Sequence, residues 1–349
     1  MSFQSEILRF AQDDTAFEGL RFCHVRRRVG ENMIEIYGTL GPACAKQETL
    51  EEMLRLGMTG MRLNLSHVSL PEAAEQVELL HAAARSTGIA PKLLIDMQGP
   101  ELRIGRLEKP LVLAAGDFLA LALLGLPPAV EAALEPGQQI LLDDGRILLE
   151  CETADRARVL RGGTLLSRKS AALPGKNIRL PALTQQDRDN LAVAADYGVS
   201  GVMQPFVRGR EDLDAVRAAL PSGLRLFAKI ENQDGVEKLD ELLDAADEIV
   251  IARGDLGNAV PLWELPVVQK RISAACRRRG VPFMVVTQML YTMEHSPVPT
   301  RAEVSDIANA VFDGAASVMV TGETAAGEYP VEVIRYLVNT VHSAESIAE

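Results

Sequence analysis

The stretch LFAKIENQDGVEKLDELLDAADEIVIARGDLG, residues 226–257, decides the fold. Residues 226–231 form a short apolar run that is typical of a buried strand, and residues 248–253 form a second one. Residues 232–244 between them have the periodicity of a helix. Strand, helix and strand in this order predict a βαβ unit, so the two strands should be parallel.

Charged side chains occupy the ends of both predicted strands. Lys229 and Glu231 are two residues apart and therefore point to the same face of a strand. Asp255 follows the end of the next strand. Two carboxylates from neighbouring strand ends can bind Mg²⁺ through a minority of its octahedral positions, and an ammonium can face the charge on a transferring phosphoryl group. A structural Lys/Glu pair at a sheet edge is the alternative interpretation.

The composition excludes several classes of protein. A chain of 349 residues with 47% hydrophobic and 24% charged residues is long enough for one large α/β domain and a small one. The net charge of -12 argues against nucleic acid or an anionic membrane surface as a partner. The four cysteines form no C-x-x-C pair, which predicts a reducing compartment and argues against structural zinc. No secretory signal or membrane span is visible, so we expect a cytoplasmic protein.

Strands and helices alternate along most of the chain. Eight strands are predicted, at residues 34–39, 60–65, 92–97, 201–204, 226–231, 248–253, 282–287 and 317–321. Eight strands with eight helices over about 250 residues are typical of an α/β protein with a (β/α)₈ TIM barrel, although an open doubly wound sheet alternates in the same way. The barrel is favoured because polar residues follow the C-terminal strand ends, where a barrel builds its site. These residues are Arg62, Asn64, Ser66, Asp96, Gln204, Lys229, Glu231, Asp255, Thr287, Thr321 and Glu323.

The alternation divides the chain into three parts. Residues 33–105 and 173–349 are predicted to form the barrel. Residues 106–172 contain β-type runs separated by Gly, Pro and Asp-Asp-Gly, which predict a small all-β domain inserted after strand 3. Over the barrel mouth such a domain could close on a ligand as a lid. Residues 1–32 show neither pattern, and we expect a poorly ordered tail.

Two further strand ends carry polar groups. In MRLNLSH, Arg62, Asn64 and Ser66 share one face of a strand; the guanidinium suits phosphate oxygens, and the amide and hydroxyl oxygens suit an ion. A hydrogen-bonded strand end explains them without a ligand. Asp96 is either the N-cap of a helix or, beside Asn64 and Ser66, a cation ligand. Thr287 ends strand 7, where a capping or core hydroxyl is the alternative to a catalytic one.

Other motifs have structural interpretations or are missing. Thr300 and Glu303 fit a capping box that starts a helix. The sequence contains neither a Walker P-loop nor G-x-G-x-x-G. A nucleotide would therefore be held by the barrel rim and the lid.

The chain resembles the pyruvate kinase family. The resemblance rests on motifs that follow the family's order from about residue 34 to the end, among them GTLGPAC at 38–44, GMRLNLSH at 60–67, IDMQGPELRIG at 95–105, ILLDDGRI at 140–147, AKIENQDGV at 228–236, IARGDLG at 251–257, TQML at 287–290, PTRAEVSDIANAVFDGA at 299–315 and TGETAAGEYP at 321–330. It implies transfer of the phosphoryl group of phosphoenolpyruvate to ADP, giving pyruvate and ATP in glycolysis.

The resemblance also implies roles for individual residues. Glu231 and Asp255 would bind the catalytic Mg²⁺, and Lys229 would stabilise the transferring phosphoryl group. Thr287 would belong to the relay that protonates the enolate. Backbone amides of residues 252–255 would receive the substrate carboxylate; this set is Ala252, Arg253, Gly254 and Asp255.

A second group of implied residues binds K⁺ and the nucleotide. The K⁺ ligands would be Asn64, Ser66, Asp96 and the carbonyl of Met97, and Glu101 matches the K⁺-dependent members of the family. Arg62, Arg103 and the lid residue Lys169 match phosphate-contacting positions, the latter two on the nucleotide side. Thr39, Pro42 and His67 lie where the nucleotide approaches.

The sequence departs from the family pattern in several places. It stops after the eighth barrel helix, before the usual C-terminal domain, so we expect no tetramer and at most a homodimer through the barrel. Met97 and Gln98 replace Thr and Lys, Val68 replaces Gly, and Pro205 replaces a Ser that faces the site. Two other functions stay open: a Mg²⁺-dependent lyase or mutase of pyruvate-like oxoacids, and a non-catalytic protein that binds phosphoenolpyruvate.

Overall fold

The computed structural model describes residues 33–348, apart from residues 67, 144, 177 and 179. The predicted tail at residues 1–32 lies outside this range. The first described elements are β1 (Glu35–Thr39), α1 (Gln47–Leu56), β2 (Gly60–Asn64), α2 (Ala74–Thr87) and β3 (Lys92–Asp96). Helix α1 buries Leu50, Met53 and Leu54 and ends at Gly57 with a φ of 115°, a left-handed conformation that glycine adopts without steric cost.

Residues 106–172, here called the antiparallel region, form two small sheets. Their strands are β4 (Leu111–Leu113), β5 (Phe118–Ala120), β6 (Gln139–Leu142), β7 (Ile147–Cys151), β8 (Arg156–Arg161), β9 (Gly163–Leu165) and β10 (Ala171–Ala172). One sheet has the order β10-β6-β7-β8-β5, and the other pairs β4 with β9. Alternate residues of β7 are buried, and they contribute to an apolar core that the region shares with its two connections. A 3₁₀ turn at Leu121–Leu124 and α3 (Pro128–Glu131) complete the region.

The remaining elements return to strand and helix alternation. They are α4 (Gln185–Val193), β11 (Gly201–Gln204), α5 (Arg210–Ala219), β12 (Arg225–Ile230), α6 (Gln233–Glu237), α7 (Leu239–Leu243), β13 (Glu248–Ala252), α8 (Arg253–Ala259), α9 (Leu265–Arg279), β14 (Phe283–Val286), α10 (Arg301–Phe312), β15 (Ser317–Met319), α11 (Gly322–Ala325) and α12 (Pro330–Ala348). Two 3₁₀ turns lie at Ala194–Tyr197 and Tyr291–Glu294. The predicted capping box of Thr300 and Glu303 starts α10.

The eight parallel strands close into a barrel with the order β1-β15-β14-β13-β12-β11-β3-β2. The closing pair joins β1 to β15, with Glu35 opposite Ser317. This pair confirms the predicted (β/α)₈ barrel and excludes the open doubly wound sheet, which would leave two free edges. Strand β3 pairs with β11, so the antiparallel region is inserted between two adjacent barrel strands.

The barrel interior is filled by large side chains from alternate positions of the strands. Tyr37, Phe227, Met203, Met284 and Met319 belong to one buried cluster, so the interior is a packed core and not a pore. The space left at the C-terminal ends of the strands is therefore the place where a ligand can enter.

An ionic cluster closes the N-terminal end of the barrel. Arg225 Nη2 lies 2.6 Å from Glu248 Oε2, and Ser317 donates to the same carboxyl group. Lys92 pairs with Glu35 beside it. Burial raises the pKa of Glu248 to about 7, despite the opposing effects of Ser317 and Arg225.

One predicted element is wrong: residues 232–244 form two short helices, α6 and α7, and not one. The Asn232 side chain accepts a hydrogen bond of 2.7 Å from Gly235 N, and a Cβ at Gly235 would lie 2.8 Å from the Val207 carbonyl oxygen. This contact fixes α6 against the barrel. Lys238 then leaves helical geometry, with φ −101° and ψ 22°, before α7 begins.

Among the described helices, none combines the length and the apolar character needed to cross a bilayer.

Candidate active site at the C-terminal mouth of the barrel

A cavity of about 620 Å³ lies at the C-terminal ends of the barrel strands. Its walls come from several strands and from the antiparallel region, as expected for a site at a barrel mouth. Nine of the predicted site residues line it: Arg62, Asp96, Lys229, Glu231, Ala252, Arg253, Gly254, Asp255 and Thr287. A second cavity of about 420 Å³ shares Glu231, Asp255 and Asn258 with the first and is also lined by the antiparallel region.

Lys229 is the centre of the charged group in the larger cavity. Its Nζ lies 3.0 Å from Glu231 Oε1 and 3.0 Å from Asp96 Oδ2. Burial would lower the pKa of Lys229, but the carboxylates of Asp96 and Glu231 outweigh it and raise that pKa above its ordinary value. The side chain therefore stays an ammonium throughout the physiological pH range.

Arg62 holds the same aspartate from the neighbouring strand. Its Nε and Nη2 donate to Asp96 Oδ2 at 2.9 and 2.7 Å. Burial would raise the pKa of Asp96, but Lys229 and Arg62 lower it overall. Asp96 is thus a buried carboxylate that orients two cations at the floor of the cavity.

Two carboxylates fit a divalent ion. Glu231 Oε2 accepts a hydrogen bond of 2.8 Å from Phe206 N, which fixes the side chain, while Asp255 lines the same cavity from the first turn of α8. Within the part of the chain that the structure describes, no group of three or more His, Cys, Asp or Glu side chains could hold a metal ion. A pair of carboxylates suits Mg²⁺, which commonly takes one or two from the protein and the rest of its ligands from water and phosphate.

The backbone at Thr287 is strained. Thr287 has a φ of 76° and Gln288 a φ of 55°. A positive φ is uncommon for residues other than glycine, above all for a β-branched one such as Thr287, and such strain clusters at functional sites. Arg253 holds this turn, because its Nη2 donates to the Thr287 carbonyl oxygen at 2.7 Å and its Nη1 lies 2.6 Å from Asp306. A Cβ at Gly254 would lie 3.0 Å from Thr287 Cγ2, so the two segments pack tightly.

The amides predicted to receive a carboxylate lie where a strand becomes a helix. Strand β13 ends at Ala252 and α8 begins at Arg253. The first N–H groups of a helix have no acceptor within that helix. The N–H groups of Arg253 and Gly254 belong to this first turn and lie at the cavity wall.

The predicted K⁺ ligands come from the ends of β2 and β3, and of these only Asp96 lines the 620 Å³ cavity. Asn64 Oδ1 accepts from Ser66 N at 3.0 Å, and Met97 N donates to the Met203 carbonyl oxygen at 3.1 Å. Asp96 Oδ2 is engaged by Arg62 and Lys229, whereas its Oδ1 has only a 3.3 Å contact with Lys229. Oδ1 therefore keeps coordination capacity for an ion.

The residues predicted to approach the nucleotide are not gathered by the structure. Thr39 is buried and donates to the Val320 carbonyl oxygen at 3.0 Å, and Pro42 is exposed. Arg103 lies 2.8 Å from Glu101, and Lys169 lies 2.6 Å from Asp143. None of these four described residues lines the 620 Å³ cavity, and His67 lies outside the described residues.

Pro205 also lies away from the cavity walls. A Cβ at Gly99 would lie 2.7 Å from Pro205 Cγ, so the ring packs against the connection that leaves β3. The preceding Gln204 is buried, and its Oε1 lacks a hydrogen-bond partner in the described structure.

The structure adds residues that the sequence patterns did not single out. Arg146, Gln288, Tyr291 and Glu294 line the 620 Å³ cavity. Arg146 belongs to the motif ILLDDGRI, but that motif did not mark its side chain as a site residue. Its position depends on how the antiparallel region packs on the barrel, which strand periodicity does not reveal.

Fold and site together define a TIM-barrel protein whose binding residues stand at the C-terminal strand ends. The family model described as pyruvate kinase, barrel domain, matches residues 32–334. This chain belongs to the pyruvate kinase family.

Individual relatives agree with the family model. The chain is 38% identical over 322 residues to a pyruvate kinase of Geobacillus stearothermophilus, covering 86% of this chain and 55% of the relative. It is 38% identical over 317 residues to one of Aeropyrum pernix, covering 87% and 69%, and 38% identical over 315 residues to one of Methylorubrum extorquens, covering 86% and 66%. The chain thus spans a little over half the length of the Geobacillus relative.

Proposed function

We propose that this chain transfers the phosphoryl group of phosphoenolpyruvate to ADP, giving pyruvate and ATP. The observation that carries the proposal is the Lys229 ammonium, held 3.0 Å from both Asp96 and Glu231 in a cavity that Asp255 and Thr287 also line. Membership of the pyruvate kinase family supports the same reaction.

The cations at the floor of the cavity supply the electrostatic part of this reaction. An oxygen of the terminal phosphate of ADP attacks phosphorus, and the bond from phosphorus to the enol oxygen breaks. Lys229 faces the negative charge of the phosphoryl group in transfer, and Arg62 adds a second positive charge beside it. Because Asp96 holds both cations in place, little reorganisation is needed during the transfer.

The enolate left behind must take a proton at its methylene carbon. Thr287 belongs to the relay that delivers this proton, and its strained backbone is kept in place by Arg253. The N–H groups at residues 252–255 bind the substrate carboxylate, which orients the carbon toward that wall.

Two ions complete the proposed site. Glu231 and Asp255 would hold Mg²⁺, which would supply positive charge to neutralise that of the phosphate. Asn64, Ser66, Asp96 and the carbonyl of Met97 would hold K⁺ with oxygen ligands only. The free capacity of Asp96 Oδ1 supports this second assignment.

The other predicted features remain proposals. The antiparallel region, which carries Lys169, would close on the nucleotide as a lid, together with Arg103, Thr39 and Pro42 at the rim. A homodimer through the barrel is supported by exposed apolar side chains before and within α9; these are Leu262, Trp263 and Val267. We propose a cytoplasmic location without nucleic-acid or membrane partners.

A coupled assay for pyruvate tests the reaction. Purified chain is given phosphoenolpyruvate and ADP, with Mg²⁺ and K⁺ present or omitted one at a time. Pyruvate and ATP formed in equal amounts, and only with Mg²⁺, support the proposal. Binding of phosphoenolpyruvate without turnover would instead indicate a non-catalytic protein, and consumption of an oxoacid without ADP would indicate a lyase or mutase.

A further inference from the structure

Arg146 differs from the other basic side chains of the 620 Å³ cavity. Of the described residues, four basic ones line it: Arg62, Arg146, Lys229 and Arg253. Three of these have carboxylate partners at 2.7, 3.0 and 2.6 Å. Arg146 Nη1 lies 3.7 Å from Asp143 Oδ2, and its side chain is 70% exposed. Among the described residues, the guanidinium therefore has only this weak ion pair, and it can form hydrogen bonds to a ligand.

The backbone of Arg146 is nevertheless well fixed. The residue lies in the turn between β6 and β7, where its N–H donates to the Asp143 carbonyl oxygen at 3.0 Å and its carbonyl oxygen accepts from Arg161 Nε at 3.1 Å. Gly145 has a φ of 79°, and a Cβ there would lie 3.4 Å from Asn258 Oδ1 of α8. The turn thus lies close to the helix that carries Asp255.

Glu294 lines the same cavity and interacts electrostatically with Arg146. Burial and the neighbouring Glu323 raise the pKa of Glu294, and His295 and then Arg146 oppose this rise. Glu323 is buried and accepts hydrogen bonds from Thr321 N and Leu290 N, so it cannot turn away from Glu294. Glu294 and Arg146 line the same cavity with opposite charges, so the carboxylate attracts the guanidinium.

Depth in the cavity indicates which phosphate Arg146 meets. Lys229 and Arg62 are 12% and 13% exposed, so they form the floor, whereas Arg146 is at the rim. A three-carbon phosphate bound on Lys229 occupies the floor, so the rim is left for the larger of the two substrates. That substrate is a nucleoside diphosphate, and a guanidinium forks well onto its phosphate oxygens.

We propose that Arg146 positions the phosphates of the nucleoside diphosphate, with Glu294 orienting its guanidinium across the cavity. This inference rests on the proposed function, since it assigns a residue to the second substrate of that reaction. Neither residue is assigned to stabilising the charge of the phosphoryl group in transfer, so both act on nucleotide binding more than on turnover.

Steady-state kinetics of Arg146→Met test the assignment. KM for ADP should rise about 10- to 100-fold, the range expected for losing hydrogen bonds to a charged group, while KM for phosphoenolpyruvate stays within about twofold. Arg146→Lys should recover part of the loss. The control is Arg158→Met, which removes one positive charge from an exposed position of β8 in the same sheet and should keep wild-type constants. An unchanged KM for ADP, or equal rises for both substrates, would overturn the proposal.

Glu294→Gln tests the orienting contact. It should raise KM for ADP by less than Arg146→Met does, and adding it to Arg146→Met should have no further effect. A fall in KM for ADP would show that Glu294 repels the nucleotide and would overturn this part.

Calorimetric titration with ADP separates this inference from the proposed function. In one outcome, the wild type binds ADP, Arg146→Met binds it more weakly, and no pyruvate forms. The proposed reaction is then wrong, but the assignment of Arg146 stands. If pyruvate forms and Arg146→Met binds ADP like the wild type, the reaction stands and the assignment fails.

Discussion

Replacing Lys229 by Met tests the electrostatic argument most directly. The substitution keeps a long unbranched side chain but removes the ammonium between Asp96 and Glu231. Two unit charges about 4 Å apart interact by about 4 kcal/mol at an effective dielectric constant of about 20. The Lys229 side chain is 12% exposed, so that constant is suitable. At about 1.4 kcal/mol per tenfold change in rate, turnover should fall about 10²- to 10³-fold, as for the loss of one oxyanion-hole donor.

The assay must separate lost chemistry from lost structure. Without the ammonium, two buried carboxylates lose a partner, which costs about 3–5 kcal/mol in the free energy of unfolding when a buried pair is broken. Pyruvate formation should therefore be measured at a temperature at which circular dichroism shows the variant to be folded. The matched control is Lys92→Met. Lys92 also pairs with a barrel carboxylate, Glu35, but at the opposite end and with 42% exposure, so turnover should be unchanged.

A folded Lys229→Met variant with wild-type turnover would refute the reasoning. The same holds if Lys92→Met reduced turnover as much as Lys229→Met does. In either case the charge of Lys229 would not act on the transferring group, and the Lys/Glu pair would be structural.

Three other predictions concern separate parts of the barrel. Glu231→Gln should raise the Mg²⁺ concentration for half-maximal activity about tenfold or more, because a charged ligand is lost. The control is Glu241→Gln, on the exposed side of α7. If the two variants required equal Mg²⁺ concentrations, the metal assignment would be contradicted. Thr287→Val keeps the β-branched shape but removes the hydroxyl, so exchange of the pyruvate methyl hydrogens with solvent should slow about 10²- to 10⁴-fold; unchanged exchange would exclude Thr287 from the relay. For Glu248, burial raises the folded pKa to about 7 from 4.5, so the folded state keeps a proton that the unfolded chain releases. The stability that this proton gives is full below pH 4.5 and is lost as the pH rises to about 7. The midpoint of urea unfolding, measured from about pH 5 to about pH 8, should fall with pH in the wild type and not in Glu248→Gln. Parallel pH profiles of the two midpoints would contradict the role of Glu248.

Local sequence was sufficient to predict the barrel. Strands such as GVMQ at 201–204 were bounded correctly because apolar runs, helical periodicity and turn residues all agree along the chain. The alternation of side chains also predicted that Lys229 and Glu231 share a face, and the structure places the charged atoms 3.0 Å apart. Helix 232–244 was predicted as continuous because its periodicity is unbroken, whereas the structure breaks it at Lys238, three residues after Gly235 packs closely on the Val207 carbonyl.

The partners of the site residues were harder to predict. Asp96 was expected to be a cation ligand or an N-cap, but its Oδ2 binds Arg62 and Lys229. Lys229 reaches it from β12, which is separated from β3 by β11. Side chains of alternate strands meet inside a barrel, and the register that decides which ones meet is set by barrel closure and not by any one segment. The rim position of Arg146 depends in the same way on packing between two parts of the chain.

The insertion of the antiparallel region between β3 and β11 shapes the order in which the chain folds. Pairing Asp96 with Met203 closes a long loop, and the entropy lost in closing a flexible loop grows with its length. The antiparallel region has its own apolar core, and its two connections already meet at the bridge between Arg103 and Ser170. If that core forms first, β3 and β11 join through a much shorter effective loop, so we expect a mutation that weakens the inserted core to slow refolding of the whole barrel.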